Sequence, residues 1–264
     1  GELGLYSDLA GRLSQHYRVL GIRSRQVVGA PDEYASFGEM SAAYAGLIDR
    51  RCPSGSLRLL GFSFGGVLAM EVARLLEEKG RRVAFVALIE FEPQWCSQTA
   101  DRLPMLSAIA VELSQRLRTE SPALLSAPRE AIEHGLVKAM DAVIAKGPAA
   151  TASALTDWLV KSGFVSQGSR GKALTEYLMR IATHAGLGHS IDRIDPVNAP
   201  LYVWKATQGL LSDDTQWETL SRAGVELRSL EGNHFDAIAT PNCVVIANVL
   251  RELHGSEGEL LAHG

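Results

Sequence analysis

The sequence lacks an excess of basic residues and a long apolar run, and each absence excludes a class of function. Its 264 residues contain 26 Lys and Arg against 30 Asp and Glu, a formal net charge of −4. Because phosphate backbones and anionic headgroups are bound by surplus cations, we expect no nucleic-acid partner and no electrostatic membrane anchor. No stretch approaches the roughly 18 uncharged apolar residues of a membrane span. None has the pattern of a signal peptide either.

Cysteine is also scarce, with three residues in the chain. Cys52, Cys96 and Cys243 are far apart, odd in number and outside any C-x-x-C spacing. The sequence therefore predicts neither a disulfide framework nor a metal site. A reducing, cytoplasmic setting is the expectation that follows.

Strand and helix signals alternate over most of the chain. Apolar runs that predict strands occur at 17–22, 56–60, 82–89, 201–204 and 225–230. Helical spacing of apolar residues occurs at 5–16, 38–51, 67–79 and 241–254. The tail after Gly255 is expected to be disordered. Strands that alternate with helices predict an α/β fold, with a mostly parallel central sheet covered by helices on both faces.

The strand signals stop between Cys96 and Pro196. This stretch of about 100 residues has only helical patterns broken by glycines, and it is too long for a loop. We therefore predict one sheet domain, formed by residues 1–95 and 197–264. A helical insertion over 96–196 divides it.

Gly61-Phe62-Ser63-Phe64-Gly65 contains the pattern G-x-S-x-G between a predicted strand and a predicted helix. This context is typical of a nucleophile elbow, a sharp turn that exposes a serine hydroxyl at the carboxyl edge of the sheet. Glycine is expected at 61 and 65 because a Cβ there would collide with the tight turn. The helix would direct the Phe64 N–H at a developing oxyanion. The alternative is a Gly-Ser loop that only turns the chain.

A serine hydroxyl needs a base before it becomes a good nucleophile. Among seven histidines, His234 follows the last predicted strand directly, within Glu231-Gly232-Asn233-His234-Phe235. In the chain order serine, acid, histidine of many hydrolases, the base belongs at this position. The alternative for His234 is a structural histidine in a turn.

The acid that would orient this histidine has several candidates. Glu90 is preferred because it ends the strand that lies one helix beyond the elbow, where a carboxylate would hold the imidazole tautomer. Asp213 and Asp214 follow the fourth predicted strand, where many hydrolases of this topology place their acid. Glu92 is close enough to Glu90 to compete. Each of these could also be an ordinary solvated carboxylate.

These motifs resemble the terminal thioesterase domains of nonribosomal peptide synthetases and polyketide synthases, which have the α/β-hydrolase fold. The segments that carry the similarity are Tyr44, Cys52–Gly55, Leu59–Ala73, Leu76–Gly80, Val83, Leu88–Glu90, Gly232–Phe235 and Pro241. The resemblance implies a serine thioesterase that takes an acyl or peptidyl chain from the phosphopantetheine thioester of a carrier protein. It implies a Ser63 acyl-enzyme resolved by hydrolysis or macrocyclisation, a helical lid over 96–196, and no bound cofactor or metal.

The chain departs from that family pattern in two places. Glu90 stands where the family usually has Asp, which keeps the choice of acid open. The family also begins with a strand and a Gly-rich loop that supplies a second oxyanion N–H, whereas this chain starts at Gly1. We therefore expect that the first strand is missing because this sequence was trimmed from the carboxyl-terminal part of a larger synthase. The alternative is an unusual start that has replaced the second donor. Two other functions stay open: a free-standing serine esterase or lipase, and a non-catalytic binding module with the hydrolase fold.

Overall fold

The computed structural model describes most of the chain. The described residues are 3–23, 34, 36–91, 106, 107, 110, 111, 114, 128–142, 148–163, 183, 187, 191, 193–209 and 217–260. Two compact units divide the molecule. The sheet unit comprises Gly1–Glu92 with Ile194–Gly264, and the insertion unit comprises Pro93–Arg193.

The sheet unit is built on four strands in the order β1–β2–β3–β4. They are β1 (Leu57–Phe62), β2 (Val83–Ile89), β3 (Leu201–Gln208) and β4 (Val225–Asn233). All three neighbouring pairs are parallel, so the carboxyl ends of the four strands lie at one edge of the sheet. β2 is buried along nearly its whole length, as an apolar run in the centre of a two-sided sheet should be.

The described helices are α1 (Ser7–Leu13), α2 (Phe37–Arg51), α3 (Phe64–Glu78), α4 (Arg129–Asp141), α5 (Pro148–Lys161) and α6 (Asn242–Leu260). α3 packs on β1 and β2 and is covered in turn by α2. α1 and α6 pack together and share a separate apolar cluster with the sheet, which contains Phe62 and Trp204. The predicted α/β fold with a parallel sheet and covering helices is therefore confirmed.

Local chemistry sets the ends of these helices. The Ser36 hydroxyl caps α2 by accepting a hydrogen bond from the Glu39 N–H (3.1 Å). α3 ends at Glu78, and Gly80 follows with φ +76, a left-handed conformation that favours glycine. No helix in the described part of the chain is long and apolar enough to span a bilayer.

Asp8 connects α1 to α6. Its carboxylate accepts hydrogen bonds from the Thr240 hydroxyl, the Cys243 thiol (3.0 Å) and Arg12 (3.0 Å). These donors, the Thr240 hydroxyl first, stabilise the charged form and lower the pKa of Asp8 from 3.8 to about 2. The contact anchors the short N-terminal helix on the last one.

Two sequence expectations about regular structure are wrong. The strand predicted over 17–22 does not form: Val19 and Leu20 are 40% and 53% exposed, so the run lacks the buried faces that a central parallel strand needs. Tyr17 instead donates its hydroxyl to the Leu250 carbonyl of α6. The tail expected to be disordered after Gly255 is helical to Leu260, because α6 is already nucleated on the core and extends at little cost.

The insertion unit contains α4 and α5, which pack against each other. Five of their apolar side chains are buried: Ile132, Leu136 and Met140 of α4, and Leu155 and Leu159 of α5. A Cβ at Gly135 would lie 2.1 Å from Trp158 Cζ2, so the missing side chain makes room for the indole. This packing agrees with the helical character that the sequence indicates for the stretch.

Candidate active site

Ser63 forms the turn between β1 and α3 with φ 53 and ψ −126, a conformation that non-glycine residues rarely adopt. Its N–H donates to the Ile89 carbonyl of β2 (2.9 Å), which fixes the turn to the neighbouring strand. A Cβ at Gly61 would lie 2.0 Å from the carbonyl oxygen of Gly65. The glycine at 61 is therefore a steric requirement of the elbow, as the motif indicates.

Tyr6 supports this elbow, and sequence reasoning missed it. The Tyr6 hydroxyl accepts a hydrogen bond from the Phe62 N–H (3.0 Å), immediately before Ser63. The same hydroxyl would lie 3.1 Å from a Cβ at Gly65. Burial raises the pKa of Tyr6, while the Phe62 hydrogen bond acts in the opposite sense. No local pattern links residues 6 and 62, so only the fold reveals the contact.

Phe64 is the first residue of α3, so its N–H lies at the positive end of the helix dipole. A group at this position can donate to negative charge that develops on a carbonyl oxygen. The Phe64 ring packs edge-on against Phe37 with centroids 6.0 Å apart. On the same turn, a Cβ at Gly66 would lie 2.7 Å from Phe91 Cβ, so glycine there accommodates a fully buried Phe91.

Glu90 is the residue after β2 and is completely buried. Its backbone has φ 47, a second left-handed non-glycine residue at this edge of the sheet. The Glu90 N–H still donates to the Trp204 carbonyl (2.9 Å). The side chain then turns over the end of β3, where Oε1 accepts a hydrogen bond from the Ala206 N–H (2.6 Å).

His234 lies in a turn directly after β4, and its neighbours hold that turn. The Asn233 side chain accepts from the N–H groups of Phe235 (2.9 Å) and Asp236 (3.2 Å). The Asp236 carboxylate accepts in return from the Asn233 N–H (2.9 Å). Gly232 has φ +97, and a Cβ there would lie 2.5 Å from Asp236 Oδ2. Sequence reasoning missed Asp236, although its spacing from Asn233 is a recognisable turn signal.

The structure brings Glu90 and His234 together. His234 Nδ1 lies 3.1 Å from Glu90 Oε2, and the two residues are 0% (Glu90) and 2% (His234) exposed. With the carboxylate as acceptor, Nδ1 carries the proton and Nε2 presents its lone pair. The imidazole also lies against Phe62, with ring centroids 4.6 Å apart and a 36° angle between planes. Phe62 precedes Ser63, so the three predicted residues occupy one edge of the sheet.

The other acid candidates, Asp213, Asp214 and Glu92, lie outside the described residues. Among the residues that the structure does describe, no cluster of His, Cys, Asp or Glu is arranged to hold a metal ion. Chemically, a buried carboxylate and an oriented imidazole at the same sheet edge as a serine with positive φ are the parts needed for nucleophilic acyl transfer.

Parts of this chain are similar in sequence to known multidomain synthetases. The inactive atromentin synthetase invA6 of Paxillus involutus is 34% identical over 117 residues, 44% of this chain and 12% of that protein. The nonribosomal peptide synthetase pngA of Aspergillus terreus is 27% identical over 168 residues, 60% of this chain and 18% of that protein. The chain thus spans a small part of the curated relatives that it matches.

Among solved structures, the RedJ thioesterase of the prodiginine pathway in Streptomyces coelicolor superposes with a TM-score of 0.60 at 15% identity. The match covers 96% of this chain and 82% of RedJ, and it shows the α/β-hydrolase fold. A family model described as Thioesterase domain matches residues 1–255. The chain therefore belongs to the thioesterase domain family.

Proposed function

We propose that this domain releases an acyl or peptidyl chain from the phosphopantetheine thioester of a carrier protein through an acyl-enzyme on Ser63. The observation that carries the proposal is the buried contact of 3.1 Å between Glu90 Oε2 and His234 Nδ1. It orients a base at the edge of the sheet where Ser63 forms its strained turn. Similarity to synthetases such as pngA supports the carrier-bound substrate.

In the first half-reaction, Ser63 Oγ attacks the thioester carbonyl carbon while His234 Nε2 takes the hydroxyl proton. Charge that develops on the carbonyl oxygen is stabilised by the Phe64 N–H at the helix N-terminus. As the intermediate collapses, the C–S bond breaks and His234 returns its proton to the departing phosphopantetheine thiol. Glu90 stabilises the imidazolium throughout and does not itself take the proton.

In the second half-reaction, His234 removes a proton from water or from a nucleophile within the acyl chain, which attacks the ester carbonyl carbon. The bond to Ser63 Oγ then breaks and His234 returns the proton to that oxygen. The product is a free acid or a macrocycle. We propose the predicted helical insertion over 96–196 as the lid of this site. A lid that excludes water would favour the internal nucleophile. In this mechanism the domain uses no cofactor or metal of its own. Its partner is the carrier protein that delivers the thioester. The proposed location of the reaction is the cytoplasm.

The acyl-enzyme is tested with a fluorophosphonate probe and intact mass spectrometry. Labelling joins Ser63 Oγ to phosphorus, expels fluoride and transfers the hydroxyl proton to His234. We expect one adduct on the wild-type chain and none on Ser63→Ala or His234→Ala. Ser14→Ala, which removes an exposed hydroxyl bonded locally to the Gly11 carbonyl, is the matched control and should be labelled like wild type. A wild-type chain without an adduct would point to the non-catalytic binding module.

The substrate class is tested separately. A panel of peptidyl thioesters with internal nucleophiles is offered both on a carrier protein and as short thiol analogues, beside simple soluble esters. We expect faster turnover of carrier-bound thioesters, with products that weigh as either a free acid or a dehydrated ring. Equal turnover of soluble esters with no carrier preference would favour a free-standing esterase.

A further inference from the structure

Gly209 lies beside the Glu90 carboxylate of the proposed site. Its missing side chain leaves the space that this carboxylate occupies. A Cβ built at Gly209 would lie 2.5 Å from Glu90 Oε2, 2.6 Å from Oε1 and 2.8 Å from Cδ. All three nearest atoms belong to the carboxylate. The space that an ordinary residue would fill at position 209 is therefore occupied by the acid.

The path of the chain explains why this position matters. β2 and β4 are not neighbours in the sheet, since β3 lies between them. To reach His234 after β4, the Glu90 carboxylate must pass over the end of β3. β3 has an irregular register between Ala206 and Gln208, and Gly209 follows at once, with its N–H bonded to the Ala206 carbonyl (3.0 Å).

Two contacts of the carboxylate are made at this point. Oε1 takes the Ala206 N–H and Oε2 faces His234 Nδ1. Gln208 is paired with Asn233, which directly precedes His234. A methyl group at Gly209 would therefore be inserted where the acid, the base and the end of β3 meet.

We propose that Gly209 is a positioning residue: the absent side chain makes room for a glutamate, one methylene longer than aspartate, to reach the histidine. This inference rests on the proposed role of Ser63, His234 and Glu90. It assigns Gly209 no contact with substrate. Its effect is exerted through the Glu90 carboxylate, so residues 90 and 209 act as one coupled pair.

The size of the effect follows from the geometry. A methyl carbon at Gly209 must move from 2.5 Å to at least the 3.4 Å of ordinary contact with the carboxylate oxygen, a displacement of 0.9 Å. The carboxylate is the end of a side chain and yields more easily than backbone. A misplacement of about 1 Å in a catalytic group costs about 100-fold in rate. We expect that loss for Gly209→Ala, with the fold retained.

The experiment compares single and double variants by the second-order rate of fluorophosphonate labelling at Ser63. The set is wild type, Gly209→Ala, Glu90→Asp and the double variant Glu90→Asp/Gly209→Ala. The shorter aspartate withdraws the carboxylate by about 1.5 Å, one C–C bond, and leaves space for the methyl group. Gly209→Ala is expected to slow labelling about 100-fold when residue 90 is Glu. In the Glu90→Asp background, the same alanine should slow labelling by at most about threefold.

Gly11→Ala is the matched control, because a Cβ at Gly11 meets nothing within 4 Å. It should be labelled at the wild-type rate. A proton NMR signal from His234 Nδ1–H, shifted downfield by its hydrogen bond to Glu90, provides a second readout. This signal should be lost or moved in Gly209→Ala and unchanged in Gly11→Ala. A general loss of stability in a folded variant would not shift this one signal.

Equal costs of the alanine in the wild-type and Glu90→Asp backgrounds would overturn the inference, and so would wild-type labelling of Gly209→Ala. If Gly209→Ala does not fold, Glu90→Ala/Gly209→Ala decides. Without a carboxylate to displace, that variant should have the same unfolding midpoint as Glu90→Ala. A much lower midpoint would show that Gly209 is needed for the fold and not for the position of Glu90, which would overturn the inference. Failure of the proposed function is distinct, because the wild-type chain itself would then carry no adduct on Ser63.

Discussion

Substitution of Glu90 by Gln tests the proposed triad at its central contact. The change preserves the size of a completely buried side chain, removes its charge and replaces one acceptor oxygen with an NH₂ donor. The Ala206 N–H then decides how the new amide is oriented. It must face the amide oxygen, because the NH₂ group would present a second donor to it.

That orientation turns the NH₂ group towards His234 Nδ1, at the position where Glu90 Oε2 now lies 3.1 Å away. Nδ1 must become the acceptor, so the proton of the neutral imidazole moves to Nε2. The nitrogen that should take the Ser63 proton is then already protonated. A triad locked in this wrong tautomer loses about 10⁴-fold in turnover, or about 5 kcal/mol of transition-state stabilisation.

The assay is the rate of Ser63 labelling by the fluorophosphonate, followed by intact mass at neutral pH. Glu226→Gln is the matched control, since this carboxylate is exposed on β4 and pairs with Arg228 at the surface. It should be labelled within about twofold of wild type, as surface ion pairs contribute little. The unfolding midpoint of Glu90→Gln, measured in parallel, shows whether the fold is retained.

A loss of less than tenfold for a folded Glu90→Gln would refute this reasoning. The carboxylate would then be a structural ligand of the Ala206 N–H, and another acid would orient His234. Asp213→Asn, Asp214→Asn and Glu92→Gln would identify that acid by the same labelling assay.

Two further predictions concern stability. Gly61→Ala places a methyl group 2.0 Å from the Gly65 carbonyl, so denaturant titration should show a loss of about 1–3 kcal/mol in unfolding free energy, and Ser63 labelling should cease. Unchanged values would contradict the steric requirement. Asp8→Asn should lower the unfolding temperature at pH 7, because a pKa lowered from 3.8 to about 2 stabilises the fold above pH 4. The difference in unfolding temperature between wild type and Asp8→Asn should disappear as the pH falls from 4 to 2. A difference that stays constant over this pH range would contradict the prediction.

The parts of the fold that sequence predicts well are those with a strong local period. β2 and α3 form within a few residues of their predicted positions. A short apolar run bounded by turn residues favours a buried strand, and a sustained 3.6-residue period favours a helix. The run over 17–22 has the same composition as a strand but does not pair. Whether such a run becomes a strand depends on a neighbour in space, and local pattern does not supply that neighbour.

The candidate site divides in the same way. Ser63 and His234 can be predicted because a tight elbow and a turn after a strand demand particular residues next to them in sequence. Glu90 can be proposed from the spacing of one helix and one strand. Tyr6 and Gly209 cannot be found in this manner, since each acts on a residue more than fifty positions away and carries no motif. Their contribution appears only when the elements are packed.

The proposed nucleophile Ser63 and the proposed acid Glu90 share the same kind of backbone strain. Ser63 and Glu90 are the non-glycine residues with positive φ in the described part of the chain, and each directly follows a strand, β1 and β2 respectively. Each is held by a ladder hydrogen bond from its own N–H to the next strand, at Ile89 and Trp204. Such conformations cost about 1–3 kcal/mol each and persist only where the surroundings fix them. The Ser63 N–H is hydrogen-bonded to the carbonyl of Ile89, the residue before Glu90. A change that relaxes one turn should therefore disturb the other. The positions of the nucleophile and the acid thus depend on one continuous edge of the sheet.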